Sequence, residues 1–185
     1  MQKEILRKLY KKKRKELSPL EIEKLQESVY KQVFDYDFFG IKNVHIFLPI
    51  EKQKEINTYP IIKFLKEKGM QPIISKSNFS TNTLEHFVLK ENTELFTNIY
   101  GIPEPENALA INSEEIDLVF VPLLISDKRN YRVGYGKGFY DRFLGNCSPS
   151  VKTIGLNFFE PISKITDKNK FDIPLDIVIY PKISF

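Results

Sequence analysis

Cysteine is nearly absent from this chain of 185 residues, Cys147 being its one thiol. An internal disulfide is excluded, and the usage fits a reducing compartment. Histidine is scarce too: His45 and His86 sit in strand-like apolar runs, where a satisfied core histidine is commoner than a ligand. Neither forms a recognisable nucleophile–base pattern with Cys147, so the thiol reads as incidental. No apolar run approaches the ~20 residues that span a bilayer. The first residues lack the apolar core of a secretory signal, and their basic composition is Lys-rich rather than Arg- and Ser-rich, unlike a transit peptide. A soluble cytoplasmic protein with no membrane partner is expected. Repeats and low-complexity linkers are missing as well, while 42% of residues are hydrophobic. That supports one domain over residues 1–185, and a monomer is expected.

What charge there is falls unevenly. Residues 1–15 carry eight basic side chains (Lys3, Arg7, Lys8, Lys11, Lys12, Lys13, Arg14, Lys15) against Glu4 alone, and the remainder has 20 basic and 23 acidic residues. A basic helix can serve a nucleic acid, an acidic surface or a polyphosphate, although most such lysines simply face water. Ile5, Leu6, Leu9 and Tyr10 have helical spacing, and Lys3, Arg7 and Lys11 recur every four residues on another face. Two cations one turn apart can grip phosphates as a pair.

Downstream, Ser18-Pro19-Leu20-Glu21 is a capping box that starts a second helix with Ile22, Leu25, Val29 and Val33 as its apolar stripe. Asn43 to Pro49 reads as a buried strand, Ile50 to Glu55 as a polar loop, and Pro60 to Lys68, closed by Gly69, as a helix. Pro72–Ser75, Leu84–Leu89, Ile116–Pro122, Val151–Leu156 and Ile177–Tyr180 read as further strands, with Lys76–Thr83 a loop. The run Tyr100 to Pro105, with two prolines and a glycine, cannot be helix. Strands alternating with helices predict a three-layer α/β/α sandwich around a mainly parallel or mixed central sheet.

The chemically richest stretch is Arg132-Val133-Gly134-Tyr135-Gly136-Lys137-Gly138-Phe139-Tyr140-Asp141. Glycines at alternate positions let backbone N–H groups turn toward one point, ahead of a segment, Phe139–Leu144, that can start a helix. Arg132 and Lys137 add positive charge, and Asp141 a hard oxygen of the kind Mg²⁺ takes beside phosphates. The spacing matches neither the dinucleotide fingerprint nor the P-loop, and Tyr140, Asp141 and Arg142 break an RNA-recognition signature that Lys137-Gly138-Phe139 begins. Spacing alone leaves a ligand-free turn and a phosphate seat equally open.

The run Arg132 to Leu144 resembles the signature of 5-formyltetrahydrofolate cyclo-ligases, also called methenyltetrahydrofolate synthetases. Lys3-x-x-x-Arg7, Glu55-Ile56-x-Thr58, Gly101-Ile102-x-Glu104-Pro105 and Asp176 fall in the family's order, so the likeness spans nearly the whole chain. Three departures stand out: Tyr100 where many relatives carry Trp, Asn130 where glycine is frequent, and Phe139 for a commoner tyrosine.

The resemblance implies ATP- and Mg²⁺-dependent closure of 5-formyltetrahydrofolate, possible also with a polyglutamate tail, to 5,10-methenyltetrahydrofolate, through a phosphorylated formyl group. It places ATP against Lys3, Arg7, Arg132, Gly134, Tyr135, Gly136, Lys137, Gly138, Phe139 and Tyr140. Arg132, Lys137 and Asp141 are the implied catalytic set. Ile50, Glu55, Tyr100, Tyr135 and Phe139 are the implied folate contacts. Asp172 and Asp176 are both candidate oxygen ligands by residue type, and the family match selects Asp176 as partner to Asp141 on the metal. Two other readings remain: a basic nucleic-acid-binding protein using the N-terminal helix, and a relative that binds a sugar phosphate or acyl-CoA on the same fold. The resemblance itself implies no nucleic-acid partner.

Overall fold

The first helix, α1 (Lys3–Glu16), turns Leu6, Tyr10 and Arg14 inward at a spacing of four. The second, α2 (Pro19–Phe34), starts where the capping box predicts: Ser18 accepts the Glu21 N–H and Glu21 returns a carboxylate to the Ser18 N–H. This computed structural model describes residues 1–182. The chain continues through β1 (Asn43–His45), α3 (Tyr59–Glu67), β2 (Gln71–Asn78), β3 (Thr83–Val88), β4 (Glu94–Thr97), β5 (Pro103–Glu106) and β6 (Ala110–Ile111). It ends with β7 (Leu118–Pro122), β8 (Ile125–Ser126), β9 (Arg132–Val133), α4 (Phe139–Gly145), β10 (Lys152–Leu156) and β11 (Ile177–Ile179).

Seven strands form one sheet in the order β11-β10-β7-β1-β2-β3-β6. The first five run parallel, and β3 and β6 add antiparallel at one edge. This is the mixed sheet expected, and strand alternation explains its two coats. Leu118 and Phe120 join α2 and α3 in one apolar cluster, with Val29, Val33, Ile61 and Leu65 buried there. Val119 and Val121 point the other way, to Phe143 and Leu144 of α4. A third cluster seats Leu6 and Tyr10 of α1 on Leu124, Ile125 and Val133, beside the β8–β9 hairpin. Among the described residues no helix is long and apolar enough to cross a membrane.

Two expectations change. Lys76–Thr83 is not simply a loop: β2 runs to Asn78 and pairs with Thr83 across a tight turn, because ladder partners override the polar composition. The hairpin β4–β5 also escaped notice. Its β4 strand is exposed throughout, so it lacks the apolar alternation by which a strand is read.

Both histidines lie in the sheet. His45 Nε2 meets Ser75 Oγ at 2.7 Å, and Ser75 Oγ meets His86 Nδ1 at 3.1 Å. Burial holds the rings neutral, His45 well below the ordinary 6.5 and His86 down to about 4. Below pH 6.5 the unfolded chain therefore binds protons that the folded chain refuses, so stability declines from there toward pH 4. Denaturant melts should show this loss, and His86→Gln should flatten it; an unaltered slope would contradict the assignment. Ser18→Ala should lower stability by about 1 kcal/mol at unchanged m-value in the same melts.

Candidate active site

Two loops and one helix build the site. After β1 the chain stays buried through Ile46–Leu48 and turns in a short 3-10 helix, Glu51–Gln53. Lys54 then takes a left-handed conformation (φ 47°), and its ammonium donates to the Lys15 and Leu17 carbonyls at 2.6 and 2.7 Å. A cation is well placed on carbonyls at a helix C-terminus. The contact pins the loop to the end of α1 and turns Glu55 inward. Glu55 Oε2 accepts the Ile50 N–H at 2.8 Å, and Oε1 accepts the Tyr135 hydroxyl at 2.6 Å.

Tyr135 belongs to the second loop, which follows the β8–β9 hairpin. Asn130 turns that hairpin at φ 60°, a conformation asparagine tolerates. Gly136 (φ 99°) and Gly138 (φ 72°) use backbone conformations that side-chain-bearing residues avoid. Gly136 also allows close approach: a Cβ there would lie 3.1 Å from Arg7 Nε. Arg7 Nε donates to the Gly134 carbonyl at 3.1 Å, so α1 holds this loop as well. Below it Arg132 gives Nη1 to the Ile173 carbonyl and Nη2 to Asp141 Oδ1, each at 2.7 Å. Lys137 is exposed at the bend.

Charge and burial oppose each other here. Desolvation pushes the Glu55 carboxyl up, while the Tyr135 hydroxyl, the Ile50 N–H and the Arg14 charge pull it down. Burial pushes the phenols of Tyr135 and Tyr140 up, and the nearby Glu55 charge adds to both shifts. Both therefore stay protonated at neutral pH. Burial lowers the Arg132 guanidinium against the opposing charges of Asp141 and Asp172. The arrangement offers an open, cationic, backbone-lined bend beside a half-enclosed carboxylate. It can hold an anion and a hydrogen-bond donor side by side.

A model of the 5-formyltetrahydrofolate cyclo-ligase family matches residues 1–181. The chain belongs to the 5-formyltetrahydrofolate cyclo-ligase family. It is 29% identical over 179 residues to the 5-formyltetrahydrofolate cyclo-ligase of Mycoplasma genitalium, covering 94% of each chain. It is also 29% identical over 172 residues to the mouse enzyme of that name, covering 85% of this chain and 84% of that one. The Aquifex aeolicus 5,10-methenyltetrahydrofolate synthetase structure superposes with a TM-score of 0.81 at 28% identity, over 97% of this chain and 89% of that one. The Mycoplasma pneumoniae synthetase shares the fold at a TM-score of 0.78 and 24% identity, over 97% and 99%.

Within this cyclo-ligase fold, Arg7, Arg132, Gly134, Tyr135, Gly136 and Asp141 come together as a linked group. Lys3 joins less directly, since its ammonium is 2.6 Å from Asp172 Oδ1. Lys11 lies 5.3 Å above the Tyr135 ring, so the every-fourth-residue face of α1 does turn to this loop. Tyr100 and Phe139 flank Phe79, with ring centroids 4.0 and 5.3 Å away. Ile50 lies near Gly101, 3.9 Å from the position of an added Cβ. Phe79 carried no sequence signal, being placed in an expected loop.

Asp176 departs from its expected role. It is exposed and precedes β11, at the amino end of a parallel strand, whereas ligands gather at carboxyl ends. Its Oδ2 accepts both the N–H and the hydroxyl of Thr153, at 2.7 and 2.8 Å. The residue whose charge reaches Arg132 beside Asp141 is Asp172. Sequence reasoning also passed over Arg14, whose signal was legible: Leu6, Tyr10 and Arg14 share one helix face.

Gly136→Ala should push Arg7 off the loop. Affinity for a non-hydrolysable ATP analogue, measured by calorimetry, should drop about tenfold, the scale of one lost charge-assisted contact. Unchanged affinity would separate Arg7 from nucleotide binding.

Proposed function

We propose that this chain catalyses the ATP- and Mg²⁺-dependent cyclisation of 5-formyltetrahydrofolate to 5,10-methenyltetrahydrofolate, releasing ADP and phosphate. One observation carries the reading: Tyr135 joins the glycine bend to Glu55 by a 2.6 Å hydrogen bond, so phosphate seat and pterin acceptor are neighbours. A formamide carbonyl is a weak electrophile with a poor leaving oxygen. Transfer of the γ-phosphoryl group onto that oxygen gives an imidoyl phosphate. The neighbouring folate nitrogen attacks its carbon, the C–O bond breaks, phosphate departs and the nitrogen loses its proton.

Such a transfer asks the protein for alignment and positive charge rather than a covalent nucleophile. Arg7, Arg132, Lys137 and the Gly134–Gly138 backbone are the phosphate-facing set. Glu55 accepts N–H groups of the pterin, and Phe79, Tyr100 and Phe139 supply flat surface for it. Among the described residues no three His, Cys, Asp or Glu side chains converge as a dedicated metal cage. Mg²⁺ needs only one or two carboxylates when phosphates and waters complete its shell. Asp141 fits: Arg132 and the Ile173 N–H engage Oδ1 only, at 2.7 and 3.4 Å, which leaves Oδ2 available. Bound there, the ion would neutralise charge on the transferring phosphates. Arg132 meanwhile holds Asp141 in place and brings a second positive charge within reach.

Turnover is followed by absorbance of the methenyl product, with ATP and Mg²⁺ present or withheld. Product is expected only when both are supplied. Asp141→Ala should cut the rate about a hundredfold, on the order of 3 kcal/mol, in a folded protein. Wild-type turnover in that variant, or product without ATP, would overturn the assignment.

A further inference from the structure

Arg14 is a charge inside the protein. Its side chain lies on the buried face of α1, and the residue is only 4% exposed. An enclosed guanidinium is destabilising unless charge and hydrogen bonds answer it. No carboxylate forms a salt bridge with it among the described residues. Nη2 donates to the Leu123 carbonyl, Nη1 donates to the Tyr135 hydroxyl at 3.0 Å, and Nε has no partner. The charge is answered through an intermediary. Arginine has no acceptor atom, so the Tyr135 oxygen must receive the Arg14 bond, and its single proton is then committed to Glu55 Oε1 at 2.6 Å.

From this direction of donation we infer that Arg14 is a positioning residue that acts through Tyr135 to hold Glu55 as an oriented carboxylate. The inference rests on Glu55 as the pterin acceptor. Oε1 is bound by Tyr135 and Oε2 by the Ile50 N–H, which fixes the carboxylate plane and leaves one lone pair on each oxygen for ligand N–H groups. A protonated Glu55 would offer one acceptor fewer. The other groups around it do not replace Arg14. Lys54 spends its ammonium on the Lys15 and Leu17 carbonyls, Lys11 lies on the Tyr135 ring face, and Tyr140 from α4 remains neutral.

The test is a carbon-13 NMR titration of Glu55 in ligand-free protein, with Glu55→Gln identifying the resonance. In Arg14→Met the Glu55 midpoint should move to higher pH, and Arg14→Lys should restore part of the shift. Arg14→Gln, which keeps a donor for the Leu123 carbonyl, should move the midpoint the same way and covers the case in which Arg14→Met does not fold. Tyr135→Phe raises the midpoint by removing its own bond to Glu55, so Arg14→Met in that background should move it less than in wild type. An unmoved midpoint in folded Arg14→Met, or in Arg14→Gln should Arg14→Met not fold, overturns the inference, as does an undiminished shift in the Tyr135→Phe background.

Kinetics separate this from the function itself. In Arg14→Met, KM for 5-formyltetrahydrofolate should rise at low pH and recover at high pH, by about tenfold per unit of midpoint shift. A purely structural Arg14 would raise KM equally at every pH. If the midpoint moves while folate KM stays constant across pH, the relay stands and Glu55 as pterin acceptor fails.

Discussion

The architecture of the site depends on one helix crossing two loops. Arg7 holds the glycine bend by its main chain, Arg14 holds it by the Tyr135 hydroxyl, and the last carbonyls of α1 hold Lys54. The position of these loops is inherited from Leu6 and Tyr10, which bury α1 against Leu124, Ile125 and Val133. Of the glycine bend itself, Tyr135 packs on the same apolar cluster. Hydrophobic burial thus sets the geometry, and short polar contacts transmit it to Glu55 and the glycine bend.

That division gives the two loops different environments. Gly136 and Lys137 face water, open to the polyphosphate proposed above. Glu55 and Tyr135 lie where desolvation shifts both ionisations. In a less polar setting each hydrogen bond to Glu55 discriminates more strongly between ligands that donate and those that do not. Tyr135 sits at the boundary, with its backbone in one environment and its hydroxyl in the other.

Much of this was legible beforehand, for identifiable reasons. Capping at Ser18, the left-handed Gly69 and the apolar strand Leu118–Pro122 are local signals, and local chemistry settles them. The glycine bend was legible as a turn because Gly136 and Gly138 permit positive φ, although spacing alone did not say what it holds. What escaped depends on partners distant in sequence. Phe79 matters through Tyr100 and Phe139; the inward face of Arg14 was legible in the helix spacing, but its tie to Tyr135, 121 residues away, was not. Asp176 shows the converse error: residue type and family order suggested a ligand, yet its carboxylate serves Thr153 at the wrong end of the strand.

Coupling of the two loops, through α1 and the Tyr135–Glu55 bond, is the central claim, and amide hydrogen exchange addresses it directly. With 5-formyltetrahydrofolate alone at saturation, protection is expected at residues 50–55 and also at 134–138, although no nucleotide is present. Protection confined to residues 50–55 would mean that the glycine bend moves independently of the folate loop, and the clamp described here would be wrong.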